Sequence, residues 1–142
     1  MHDMEKQVWQ RVRGQQETGA EAALKTQLQT AGELAEAYGY LLKNAGSRSR
    51  DLLRLLLEGE QANMDCLKGI ARLQRQTVSE KILPQSREPA RKLLELCYHR
   101  SRRAAVDFLA QSAGGEFGEV YRAMADREGK HCVWLAQLLG MQ

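Results

Sequence analysis

The chain has 142 residues, of which 43% are hydrophobic and 27% are charged, with a formal net charge of +3 and two prolines. This length predicts one domain, and the abundance of Ala, Leu, Glu, Gln, Lys and Arg predicts an all-α fold. The odd number of cysteines, three, argues against a disulfide framework, and no apolar run reaches membrane-spanning length. We therefore expect a cytoplasmic protein without a membrane segment.

The chain begins with a short helical pattern over residues 3–13, which ends at Gly14 and is followed by a few polar residues. Trp9 belongs to the apolar side of this segment and is expected to pack on the main domain or on a second copy. The predicted organisation is thus an N-terminal helical arm over 1–17 and a helical bundle over 18–142.

Four longer helices are predicted in the bundle, over residues 20–44, 48–76, 89–113 and 117–139. Glycines at 46 and at 114–115 end the first and third of them, and two prolines interrupt the pattern after the second. The bundle therefore divides into a first hairpin over 20–78, a crossover over 79–88, and a second hairpin over 89–140.

Helical periodicity predicts which side chains face the core. In the first long helix the predicted inward residues are Leu24, Leu28, Glu33, Ala37, Tyr40 and Leu41. In the second they are Leu53, Leu56, Leu57, Glu60, Asn63, Met64, Leu67 and Ala71. In the third they are Leu94, Cys97, Ser101, Ala105, Phe108 and Leu109.

The two hairpins are copies of one design. A shift of 68 positions aligns the segment that begins at Glu33 with the segment that begins at Ser101, without a gap, and places Glu60 on Glu128. Both copies carry an Ala-Gly break between their helices, at the same spacing from the shared glutamate. Such an internal repeat predicts two similar helical hairpins.

Glu128 and His131 form the motif with the clearest chemical content. Because they are three residues apart on a predicted helix, they share one face, together with Leu135. A Glu-x-x-His pair on an apolar stripe is a recurring half of a metal site in helical bundles. A solvated charged pair is the alternative interpretation.

Two related hairpins, a long connection and this carboxylate pattern resemble the ferritin-like superfamily, in particular small bacterial rubrerythrin-type proteins. The resemblance covers residues 20–140 and implies an antiparallel four-helix bundle that holds two metal ions, typically iron. It also implies reduction of oxygen or peroxide coupled to iron oxidation. The chain lacks the Cys-x-x-Cys pair of a rubredoxin-like domain, so any enzyme here would be at most a rubrerythrin-like oxidoreductase.

The resemblance assigns metal ligands only in part. Four of the six family positions are matched, namely Glu33, Glu60, Glu128 and His131. Asn63 and Ser101 stand where the family has His and Glu. Three carboxylates and one imidazole suit Fe, Mn or Zn, and we expect one ion rather than two. The alternatives are a di-metal centre completed by water and a bundle without metal, in which Arg102 or Arg103 turns inward to neutralise the carboxylates.

Other functions are weaker predictions from this sequence. Arginines cluster near the first turn and along the third long helix, but acidic residues are interspersed and no helix-turn-helix spacing appears, so nucleic-acid binding is not expected. A non-catalytic scaffold or interaction module that has lost its metal is the main alternative, and a homodimer could form through Trp9 and Trp134. The sequence identifies no small-molecule substrate.

Overall fold

The structure is a computed structural model that describes the backbone of residues 2–78 and 83–142 and the side chains of residues 22–78 and 83–142. These ranges contain four α-helices and no strand. The helices are α1 (His2–Lys43), α2 (Ser47–Leu73), α3 (Ala90–Gln111) and α4 (Gly118–Gly140). The all-helical, four-helix prediction is confirmed.

The N-terminal segment differs from the sequence prediction. Helix α1 runs as one element from His2 to Lys43, so a separate short helix ending at Gly14 is not confirmed. A single glycine inside a helix costs only about 1 kcal/mol relative to alanine, which does not suffice to end a helix. The predicted packing of Trp9 lies outside the residues whose side chains are described, and the arm over 1–17 stays a prediction.

The helices pack as two hairpins joined by a longer connection. Residues 44–46 join α1 to α2, and residues 112–117, with Gly115 at a φ of 91°, join α3 to α4. Between the hairpins, α1 packs against α3 and α2 packs against α4. Each helix thus faces two neighbours, as in a four-helix bundle.

The core consists of two apolar clusters with a polar layer between them. One cluster contains Leu34, Leu56, Cys97 and Leu135 among its members. The other is formed by Leu24, Leu28, Leu67, Ile70, Ala71, Phe108, Tyr121, Met124 and Ala125. Along α2, α3 and α4, the buried polar residues fall between the positions that belong to these two clusters.

The inward face of α1 is partly different from the predicted one. Leu34 and Tyr38 are fully buried, whereas Glu33 and Tyr40 are only partly buried. The buried positions of α1 are spaced three or four residues apart, which is the spacing of one helix face, and Glu33 and Tyr40 lie off that face. In α3, Leu109 is also wrongly predicted, because 52% of it is exposed. The predicted inward stripe of α2 is all buried or partly buried.

Two neighbouring leucines of α2 test this assignment of faces. Leu56 is fully buried and Leu55 is 44% exposed. We expect Leu56→Ala to lower the free energy of unfolding by about 2–5 kcal/mol, because it leaves a cavity, and Leu55→Ala to change it by less than about 0.5 kcal/mol. Urea denaturation followed by circular dichroism measures both. Equal losses in the two variants would show that the register of α2 is wrong.

Candidate metal centre

Five polar side chains form the layer in the middle of the bundle, and each is completely buried. They are Glu60 and Asn63 from α2, Ser101 from α3, and Glu128 and His131 from α4. The described part of α1 adds no buried polar residue to this layer. Burying ionisable groups in an apolar core is costly unless they are paired or bound to an ion, so the contacts of each group decide what the layer can do.

Glu128 is well supplied with hydrogen-bond donors. The amide Nδ2 of Asn63 donates to Oε1 of Glu128 at 2.8 Å, and the hydroxyl of Ser101 donates to Oε2. Burial alone would raise the pKa of Glu128, but the neighbouring Glu60, His131 and Ser101 side chains outweigh burial and lower it. Glu128 is therefore the carboxylate that carries a negative charge in the core.

Glu60 and His131 are in the opposite situation. Neither oxygen of Glu60 and neither ring nitrogen of His131 has a hydrogen-bond partner among the described residues. Burial, followed by the hydrogen-bonding interaction with the Glu128 carboxylate and by its charge, raises the pKa of Glu60 well above its ordinary value, while Arg127 acts in the opposite direction. Without an ion, Glu60 is therefore neutral, and four buried polar atoms lack a hydrogen bond of normal geometry.

Two of these atoms, Nδ1 of His131 and Oε1 of Glu60, lie close to each other and to Oε2 of Glu128. Nδ1 of His131 lies 3.3 Å from Oε1 of Glu60 and 3.5 Å from Oε2 of Glu128. Donor atoms bound to one ion at about 2.0–2.2 Å lie roughly 3–3.5 Å from one another. The three side chains could hold a single metal ion, to which each would offer one oxygen or nitrogen atom.

Glu33, the fourth predicted ligand, is not brought to this cluster. Its side chain is 31% exposed, accepts a hydrogen bond from Gln29 at 3.1 Å, and lies 3.8 Å from Nε of Arg100. The physical reason is the register of α1, since Leu34, the next residue, occupies the inward position. Three of the four predicted ligands come together, from two helices.

The inward cation also differs from the predicted one. Arg102 and Arg103 of α3, the alternative inward cations, are exposed, and Arg103 lines the same cavity as Glu60 and Glu128 without a hydrogen bond to either among the described contacts. Arg127 of α4 points there instead, and its Nη1 donates to Oδ1 of Asn63 at 2.6 Å. Its position four residues before His131, on the same helix face, was the signal in the sequence.

Gly59 permits the close approach of α4 to α2 at this point. A Cβ atom at Gly59 would lie 2.5 Å from Cε1 of His131, even nearer to Nε2 of that ring, and 3.4 Å from Cδ of Arg127. Because real Cβ atoms do not come so close to a ring, any other residue would displace His131. The helical periodicity of α2 does not mark this glycine as part of the site.

Tyr38, Cys97 and Cys132 surround the polar layer. The Tyr38 hydroxyl is buried without a described hydrogen-bond partner, and burial raises the pKa of Tyr38 well above its ordinary value. Burial likewise raises the pKa of the Cys97 thiol to about 12, and the thiol of Cys132 lies 3.7 Å from the hydroxyl of Ser101. Tyr121, in contrast, belongs to an apolar cluster.

No family model, curated protein or solved structure matches this chain. Within its described residues, no helix has both the length and the apolar character needed to cross a membrane. The fold and the site together define an all-helical, four-helix protein whose core contains a buried Glu–Glu–His cluster. Glu60, Glu128 and His131 are its donor residues, and this cluster could hold a metal ion.

Two glycines of α2 test the approach of His131. We expect Gly59→Ala to lower the free energy of unfolding by about 1–3 kcal/mol, because the added methyl group collides with the imidazole ring. Gly69→Ala is the matched control, since a Cβ there meets nothing within 4 Å, and it should raise stability by about 0.5–1 kcal/mol. Thermal unfolding measures both. Stabilisation by both substitutions would contradict the contact.

The pH dependence of stability tests the neutral state of Glu60. A carboxyl group whose pKa is raised by folding adds stability below its ordinary value of 4.5, and this stability is lost as the pH rises through the raised value. In protein treated with a chelator, we expect Glu60→Gln to remove this loss, so that its unfolding free energy declines less than the wild type's above about pH 5. Urea denaturation between pH 5 and 8 measures this difference. Parallel profiles would show that Glu60 is ionised in the core.

Proposed function

We propose that this chain is a ferritin-like metal-binding protein that holds one ion of Fe, Mn or Zn between Glu60, Glu128 and His131. The observation that carries the proposal is the group of unpaired, fully buried atoms of Glu60 and His131 in the middle of the bundle. A cation bound by Nδ1 of His131 and Oε1 of Glu60 would pair with both of these atoms and offset the charge of Glu128.

The remaining residues of the layer would orient the ligands. Asn63 and Ser101 hold the two oxygens of Glu128 in place, as donors behind a metal ligand commonly do. Gly59 leaves space for the ring of His131. Apolar clusters pack on both sides of the centre. When bound, iron or manganese would supply one-electron redox chemistry, which suits a role in oxidative stress.

A small cavity between α1 and α3 supports a role that involves small molecules. It measures about 40 Å³, and Thr30, Leu34, Phe108, Glu60 and Glu128 are among its lining residues. A cavity needs roughly 10–15 Å³ to hold one water molecule, so this one admits only water-sized molecules. Such a molecule could reach the two carboxylates from this side, whereas a larger organic substrate could not.

A metal-free scaffold is the second candidate function. It is favoured by the contacts of Glu128, which satisfy that carboxylate through Asn63 and Ser101 without any ion. In this case the layer would serve the specificity of packing, and the function would lie on the surface of the bundle. The unpaired atoms of Glu60 and His131 are the observation against it.

Metal content distinguishes the two candidates. Protein is purified without chelator or nickel affinity resin, loaded anaerobically with Fe(II) or Mn(II), and analysed by plasma mass spectrometry. We expect close to one ion per chain, and we expect Glu60→Gln to weaken binding by about 100-fold, because an amide replaces a carboxylate ligand. Gln matches the shape and the neutral state of Glu60, so the fold should persist.

The matched control is Glu58→Gln, because Glu58 lies on the same helix but is exposed. It should bind like the wild type. Absence of metal after loading would leave only the scaffold function. Full metal content in Glu60→Gln would place the ion at another site.

A further inference from the structure

The internal repeat relates the two halves of the metal centre to each other. The shift of 68 positions places Gly59 on Arg127 and Asn63 on His131. In the structure, Gly59 lies against His131, and Asn63 is hydrogen-bonded to Arg127. The same contact between α2 and α4 therefore occurs twice, with its two residues exchanged between the helices.

The order of these contacts confirms that they are equivalent. Along α2, Gly59 comes before Asn63, whereas along α4 their partners follow the opposite order, with His131 after Arg127. The two helices are therefore antiparallel where they cross, and the repeat relates the two contacts by an approximate twofold axis. Glu60 and Glu128 are related in the same way and lie on both sides of this axis.

The two equivalent contacts consist of different chemical groups, one pair suited to binding a metal ion and the other already containing a positive charge. In one, a residue without a side chain allows an imidazole to reach the carboxylates. In the other, the imidazole is replaced by Asn63, a neutral amide that ligates transition metals weakly, and the glycine is replaced by the guanidinium of Arg127. The amide links that guanidinium to Glu128 through hydrogen bonds of 2.6 Å and 2.8 Å.

We propose that Arg127 is a built-in cation that takes the place of a second metal ion and limits the centre to one ion. The half of the site next to Asn63 already contains a positive charge, which repels another cation at short range. Arginine does not lose its proton in proteins, so this charge is permanent. The inference rests on the proposed function, since it explains why the same site holds one ion.

The proposal is tested by reproducing the contact of Gly59 with His131 at the equivalent positions 127 and 63. The double variant with Asn63→His and Arg127→Gly reproduces on the second half the His–Gly pair of the first. Titration with Co²⁺, followed by visible absorbance and plasma mass spectrometry, should give one ion per chain for the wild type and for each single variant, and two for the folded double variant. Circular dichroism checks folding, since the new glycine weakens helix α4.

The outcomes separate the two proposals. One Co²⁺ per chain in the wild type and also in the folded double variant would overturn the role of Arg127 and leave the proposed function intact. Two ions in the wild type would overturn it as well. No Co²⁺ in the wild type would overturn the proposed function, and the role of Arg127 with it.

A milder variant keeps the proposal testable if the double variant does not fold. Arg127→Gln removes the fixed charge but keeps a hydrogen-bond donor near Asn63, so it should tighten Co²⁺ binding by at least about tenfold. Lys130→Gln is the control, since the same charge is lost from an exposed position of α4 and affinity should change less than about twofold. Unchanged or weaker binding in Arg127→Gln would overturn the role of Arg127.

Discussion

An ionised carboxylate in the middle of an apolar bundle is the constraint on which the rest of this structure depends. Glu128 is fully buried between two apolar clusters, and its charge must be compensated there. Asn63 and Ser101 supply hydrogen bonds, and the nearby Arg127 supplies positive charge through Asn63. Asn63 lies on α2, Ser101 on α3 and Arg127 on α4. Compensation of this one charge therefore requires that these three helices pack together.

The buried polar groups in the two halves of the centre are satisfied to different extents, and this difference is the basis of the proposed metal site. One half is satisfied by the protein's own side chains, through Arg127 and Asn63. The other half leaves Glu60 and His131 unpaired, although both are completely buried. The two similar hairpins of the repeat thus provide two different local environments in the centre. One of them has the donors and the space for a cation, and the other already contains one.

The success and failure of the sequence predictions follow from the range of the interactions. Glu60, Glu128 and His131 were predicted from an i, i+3 spacing and a repeat, which are local features of a helix. Glu33 was implied as a ligand by the family resemblance, since the repeat aligns it with Ser101, and the structure places it on the side of α1, because Leu34 faces the core. A shift of one residue along a helix rotates a side chain by about 100°, which suffices to remove a ligand.

The sequence by itself determined the helices, the inward stripe of α2 and the burial of an acidic and histidine layer, because each follows from periodicity within about two turns of one helix. Only the tertiary structure decided how the layer is compensated. The contact of Arg127 with Asn63 and that of His131 with Gly59 join residues of two different helices. Whether such side chains meet depends on how α2 and α4 cross, and no spacing along the chain encodes that geometry.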